Sequence, residues 1–293
     1  MRIKIYQLNN DERKIKFEDY KTTIEHGGIK ASEYKCVFHG DVDAMKLDDV
    51  FFAFNTFEKP YLGTFQGHLL STSDIVEVIG DIPEVYGKID YLYLSPKKET
   101  KVGETRYFTT YADYHREIED CIECGRPYEA QELSDQHIKL TEEGCYFCNS
   151  IGWQKVEFNT SGCEKMDGVR VLMILPHKTP VETHVIDELA HWQKAVSKMG
   201  EDSLMEVTYP FEDGAVIVSN EEAKLNGMEG NRHIGTSIYD GPMYIVNDDN
   251  KAGFCDLTDQ QIEKYTKMFE RPEDITPEEV QEDCGFTITP WVW

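Results

Sequence analysis

Lysine and arginine are scarce in this 293-residue chain: 30 of them stand against 55 aspartates and glutamates, a formal charge of −25. The scarcity disfavours nucleic-acid binding first, because affinity for a duplex comes largely from basic side chains that neutralise phosphates. It is not confined to one tail, since residues 1–167 carry 20 bases and 31 acids and residues 168–293 carry 10 and 24. Long apolar runs are missing too. The longest, Val169 to Pro176, is interrupted by Arg170 and has the length of a strand, so no membrane span is expected. The opening Met-Arg-Ile-Lys-Ile-Tyr turns polar at once, unlike a signal peptide. With cysteines scattered outside one cluster, this points to a reducing cytoplasm. There is no phosphate-binding glycine loop, nucleophile elbow or zinc-protease helix, so enzyme activity is not expected. Internal repeats and low-complexity tracts are absent as well.

What the chain does have is a cysteine pattern. Four of its 8 cysteines read Cys121-Ile-Glu-Cys124, then 20 residues, then Cys145-Tyr-Phe-Cys148. A two-residue spacer lets paired thiolates hold one edge of a tetrahedron, so the spacing predicts a structural zinc ion on Cys121, Cys124, Cys145 and Cys148. An iron-sulfur cluster and a redox pair are the rival readings. Gly125 and Asn149 follow the two pairs and tolerate the left-handed backbone of a tight knuckle. From Lys97 to Cys148 there are 7 bases against 12 acids, the wrong sign for a zinc element that reads DNA or RNA. Its expected role is to replace core that a short insertion cannot build. Cys36, Cys163, Cys255 and Cys284 are scattered.

Periodicity divides the chain. Alternation over Arg2 to Leu8 predicts a strand, as do Tyr34 to His39, Tyr91 to Leu94 and Ile151 to Phe158. Leu47, Val50, Phe51, Phe54 and Phe57 recur at helical spacing. These elements define a first α+β domain over residues 1–160, with the cysteine-bearing insertion at about 96–148. Polar residues 161–168 read as a linker. A second α+β domain over 169–270 opens with a buried strand at Val169 to Leu175. A helix on Val185, Leu189, Trp192, Val196 and Met199, closed by Gly200, is expected next. Further strands are expected at Leu204 to Tyr209, Ala215 to Ser219 and Pro242 to Val246, with Glu212-Asp-Gly214 as a turn. Thr258-Asp-Gln-Gln261 and Thr276-Pro-Glu-Glu279 are capping boxes. Residues 271–293 make an acidic helix and a tail, Pro290-Trp-Val-Trp293, expected to dock on the body. The fold class is therefore α+β, with mostly antiparallel sheets and helices packed on one face.

Three clusters invite chemistry and are read as structural. Gly67-His68 with Ser71, Ser73 and Asp74 could be drawn as a hydrolase cluster, but consecutive strand residues face opposite ways and cannot converge on one proton, so a structural turn is the better reading. His184, Glu188 and His191 would share one face of the expected helix, most simply a solvated one. Asp248 and Asp249 beside Asn247 and Asn250 lack the spaced ligands of a calcium loop.

Phe54-Asn55, Gly67-His68-Leu-Leu-Ser71-Thr-Ser73-Asp74 and Ser150-Ile-Gly-Trp-Gln-Lys-Val-Glu157 carry a resemblance of the first domain to the YodL-like family. The second domain resembles an uncharacterised domain family of bacterial mobile elements, through Tyr209-Pro-Phe-Glu-Asp213, Asn220 to Gly227, Asn231-Arg232 and the helix Leu257 to Phe269. The resemblance implies cargo of conjugative elements or prophages, found beside anti-restriction genes. Together with the charge, it raises the expectation of a non-enzymatic inhibitor that imitates nucleic acid and occupies the basic groove of a host nucleic-acid-binding protein or nuclease complex. The alternative is a zinc-containing adaptor or regulatory module of such an element that contacts nucleic acid.

Overall fold

The computed structural model describes residues 1–56, 60–197, 203–249 and 253–283. Phe57, Met199, Gly200, Asn250, Cys284 and the tail Pro290 to Trp293, on which the sequence places expectations, lie outside the described residues. The structure is α+β, and among the described residues every pairing between two strands of a sheet is antiparallel.

The alternation at the start produces β1 (Arg2–Leu8), followed by α1 (Tyr20–Glu25), β2 (Tyr34–Val42), α2 (Leu47–Ala53), β3 (Tyr61–Phe65) and β4 (Ile75–Gly80). The chain then leaves this sheet for β5 (Gly87–Leu94), β6 (Thr100–Phe108), α3 (Tyr111–Cys124) and β7 (Tyr128–Glu132), and returns with β8 (Gly144–Cys148) and β9 (Trp153–Val156). The main sheet has the order β3-β2-β1-β4-β8-β9. Ile3, Ile5, Phe38, Val76 and Val78 bury one face against Leu47, Val50, Ala53 and Phe54 of the α2 segment. Tyr6, Leu8, Tyr34, Ile75 and Phe147 fill the other face. Phe51, expected in the α2 stripe, is 41 % exposed; Ala53 takes the inward position.

The excursion is placed differently from the sequence expectation. It begins after β4 rather than near residue 96, because β5 pairs with β6 and β7 in a sheet of its own. Ile89 and Tyr91 pack there against Tyr114 and Cys121 of α3. Gly87 permits this approach: a Cβ at that position would lie 2.6 Å from the Tyr114 ring. The excursion ends before Cys145, since β8 belongs to the main sheet, pairing Cys145 with Glu77 and with Val156.

In the second half, β10 (Val169–Ile174), β11 (Val181–Val185), α4 (Leu189–Ala195), β12 (Met205–Thr208), β13 (Ala215–Asn220), β14 (Gly230–Ile234), β15 (Ser237–Asp240), β16 (Met243–Asp248), β17 (Phe254–Cys255), α5 (Asp259–Met268) and α6 (Pro277–Asp283) follow in turn. The sheet runs β11-β10-β16-β13-β12, with β17 on β16 and β14-β15 as a separate hairpin. Its two faces are both covered. Val171, Val216, Val218 and Val246 pack on Trp192 of α4, while Leu172, Ile174, Ile217 and Ile245 pack on Tyr265 and Phe269 at α5. Burial on both faces explains why β10 reads as a continuous apolar run, and it replaces the expectation of helices on one face only. The expected helix from Val185 begins late, because Val181-Glu-Thr-His-Val185 alternates and pairs with β10 as a strand.

Residues 161–168 do not hang free between the domains. Glu164 bridges Lys35 in parallel, its amide donating to the Tyr34 carbonyl and its carbonyl accepting from the Cys36 amide, both at 2.9 Å. Gln66 and Asp167 exchange two further bonds, side chain to backbone, at 2.9 and 3.0 Å. β11 packs on β2 and β3, and the Thr64 amide donates to Thr183 Oγ1 at 2.9 Å. The two domains are thus joined through a strap and a strand face.

Candidate functional site

The four cysteines expected to share a zinc ion are held apart. Cys121 and Cys124 end α3, where Gly125, at φ 68°, terminates the helix rather than shaping a metal knuckle. Cys121 is buried beneath the helix, whereas Cys124 is exposed and turns its thiol to the Cys121 carbonyl at 3.7 Å. Cys145 and Cys148 lie three apart in β8, and residues so spaced in a strand project to opposite faces. The Cys145 thiol faces the Phe158 carbonyl at 3.9 Å, and that of Cys148 the Asn149 carbonyl at 3.7 Å. Asn149 is engaged as well, its side chain accepting from the Tyr20 amide at the start of α1. Burial pushes the Cys145 thiol up to about 11 and the Cys148 thiol up to about 12. Among the described residues no group of three or more His, Cys, Asp or Glu is placed to hold a metal ion. As arranged among the described residues, the four cysteines do not converge on a four-thiolate site.

The structure assembles a different site, a crevice of about 410 Å³ where the two domains meet. Lys4 of β1, Cys36 and His39 of β2 and Cys163 of the strap face Arg170 of β10 with Glu182 and His184 of β11. Glu182 and His184 are two apart on an edge strand, so both reach the same side. Arg170 Nε donates to Glu182 Oε1 at 2.6 Å, and its Nη1 donates to Asp259 Oδ1 at 2.6 Å. Burial opposes the Arg170 charge, but these two bonds outweigh it and raise its pKa. Burial likewise works against the Glu182 carboxylate, which its bond to Arg170 keeps ionised, with a lowered pKa. His39 lies 3.4 Å from Glu182 Oε1 and is buried enough to push its pKa down to about 3, so the ring is neutral. The His184 ring, 6.4 Å from that of His39, has its pKa lowered by burial, and its Nδ1 has no hydrogen-bond partner among the described residues.

Chemically the crevice is quiet. Burial pushes the Cys36 thiol up to about 11 and the Cys163 thiol up to about 12, the reverse of what activates a nucleophile. A histidine with a pKa near 3 is too weak a base to act as a general base at neutral pH. These residues escape sequence reading because nothing in local spacing links β2 to β11. The available signals are weak ones: Arg170 inside an apolar strand, and the ionisable Glu182 and His184 alternating with Val181, Thr183 and Val185.

The remaining candidates resolve as structural features. The Gly67–Asp74 segment is loop, not strand, so alternation is not what keeps its groups apart. Asp74 accepts from Gln7 Nε2 at 2.9 Å and from the Ser71 amide at 2.8 Å, and Gln7 also binds the His68 backbone on both sides. Burial pushes the Asp74 carboxyl up to about 7, opposed by those bonds. His184 sits in β11 and Glu188 precedes α4, so the expected His184-Glu188-His191 helical face does not exist; only Glu188 and His191 approach, at 3.4 Å. Asp248 lies in β16 and accepts from the Tyr209 hydroxyl.

No helix among the described residues is long and apolar enough to cross a membrane. Comparison with curated proteins and with solved structures returned no match. The two halves that meet at the crevice correspond to two family matches: residues 2–87 match the YodL-like domain, and residues 169–270 match a domain of unknown function, DUF3846.

Proposed function

We propose that this is a non-enzymatic acidic binding protein of a bacterial mobile element. In this reading it acts in the cytoplasm as an anti-defence inhibitor of the anti-restriction or anti-CRISPR type. Its partner is a basic host protein that binds nucleic acid, or a nuclease complex, whose groove it occupies by presenting carboxylates in place of phosphates. The observation that carries the reading is the charge of −25, spread over both halves of the chain. The outlying sheet and α3 add to it, with Glu119, Asp120, Glu123, Glu129 and Glu132 all exposed. Rigid presentation by two strapped domains suits a surface that must match a preformed groove.

The test is capture of partners from bacterial lysate with and without nuclease, followed by affinity measurement against salt. A nuclease-resistant basic partner, bound at least tenfold more weakly at 0.5 M than at 0.1 M salt, is expected. Joint neutralisation of Glu119, Asp120 and Glu123 to their amides should weaken it further. Binding indifferent to salt, or capture that disappears with nuclease, rules the reading out.

A further inference from the structure

The crevice between the domains lacks a reactive group, yet its charges are unevenly committed. Apart from the histidines, three acids and three bases line it, and every acid is already engaged. Glu182 accepts from Arg170 Nε at 2.6 Å and Asp256 from the Arg170 amide at 2.8 Å, while Glu164 lies 3.3 Å from the Nζ of Lys35, which is not part of the crevice wall. Among the bases, Arg170 is taken up by Glu182 and Asp259, but Lys4 and Lys165 make no hydrogen bond or ion pair among the described residues. Lys4 is half-buried on β1, an interior strand of the main sheet, between His39 of β2 and Glu77 of β4. Glu77 accepts from the Tyr6 hydroxyl at 2.7 Å instead of pairing with it. Drawing an ammonium away from water without a carboxylate partner is costly. Unlike the sealed Nδ1 of His184, the Lys4 Nζ keeps accessible surface in the crevice.

We propose that the crevice binds a small organic anion, whose carboxylate or phosphate group sits on the Lys4 ammonium. The three donor hydrogens of an ammonium, partly desolvated, make a strong charge-assisted contact with either group. Lys165, exposed on the strap, adds a second uncommitted cation to the lining. Tyr6, Cys36, Met166 and Leu257 offer apolar wall to the body of the ligand. The volume of about 410 Å³ falls within the ~300–1,000 Å³ of small-molecule sites, which favour boundaries between domains. The raised thiols and the neutral His39 fit a site that holds its ligand without reacting with it. The inference stands apart from the acidic-mimic reading, because the ligand enters between the domains and its test needs no nucleic-acid-binding partner.

The test is a heteronuclear NMR titration of the intact protein with benzoate, with phenyl phosphate and with neutral benzamide. Saturable shifts at residues 4, 36, 160–166 and 182–184 are expected with an anion and not with benzamide. The anion that saturates at the lower concentration assigns the group as carboxylate or phosphate. Lys4→Met should weaken binding about tenfold, the loss of one charge-assisted contact, and Lys4→Arg should retain it. Lys165→Gln, at an exposed position, is the further variant and should weaken binding about threefold without disturbing the core. Anion affinity unchanged in both Lys4→Met and Lys165→Gln, benzamide bound as tightly as benzoate, or no saturable shift with either anion overturns the assignment.

Discussion

His39 is the residue at which pH acts most plainly on this fold. It faces Glu182 and His184 from β11 and has Lys4 and Arg2 of β1 nearby. An unfolded histidine takes up its proton near pH 6.5, whereas the folded one does so only near about 3. Between those values the unfolded chain binds the extra proton, so stability falls as pH drops and is complete above the unfolded pKa. His39→Gln should therefore flatten the loss of stability between pH 6.5 and 4.5, by about 1–2 kcal/mol at the lower end after allowance for screening. Urea unfolding across that range measures it; parallel slopes in wild type and variant would contradict it. The cysteines give a second prediction. Cys121→Ser buries a hydroxyl beside Tyr91 and should cost about 1–2 kcal/mol, while the exposed Cys124→Ser should be within 0.5 kcal/mol of neutral. A shared metal would make both substitutions costly and make chelator mimic them, so thermal unfolding with and without chelator separates the two cases.

Among the elements, the β14-β15 hairpin depends on one buried charge. Arg232 is 1 % exposed; it donates to the carbonyls of Asn231 and Lys178 at 2.8 and 2.7 Å and to that of Phe269 at 3.3 Å. It thereby ties the hairpin to the end of α5 and to the loop after β10. Arg232→Met leaves those carbonyls unpaired and should cost about 2–4 kcal/mol. Amide exchange in β14 and the last turn of α5 should accelerate together, and acceleration confined to β14 would refute the clamp. The Asn231-Arg232 pair is visible in the sequence, but its role is not, since its partners are 54 and 37 residues away. Elements ruled by local chemistry are legible: the Thr258-Gln261 capping box closes as expected, with the Gln261 amide donating to Thr258 Oγ1 at 3.2 Å. Thr276 and Glu279 close theirs in the same way. What sequence spacing cannot supply is a choice made by tertiary pairing. Val181–Val185 becomes an edge strand because β10 needs a partner, and Cys145–Cys148 becomes a strand because β4 does.

At the scale of the whole molecule, the question is whether two domains that match two different family models behave as one body. Three features couple them: the strap at Glu164, the Gln66-Asp167 exchange and the packing of β11 on β2 and β3. Leu62 of the first domain packs against the apolar cluster that holds Val181, Val185 and Trp192 of the second. The crevice walls come from both domains, so its geometry exists only while this contact holds. Thermal unfolding should accordingly be a single transition, with calorimetric and van't Hoff enthalpies in agreement. Thr183, 1 % exposed and bonded to the Thr64 amide, is the position from which to break the coupling. Thr183→Asp would press an unpaired carboxylate into the contact, at a cost of several kcal/mol. Calorimetry of that variant should resolve two transitions, with the second domain melting first because β11 belongs to it. A single transition merely shifted to lower temperature would mean that the strap alone unites the domains. No shift at all would mean that the β11 face contributes nothing to their union.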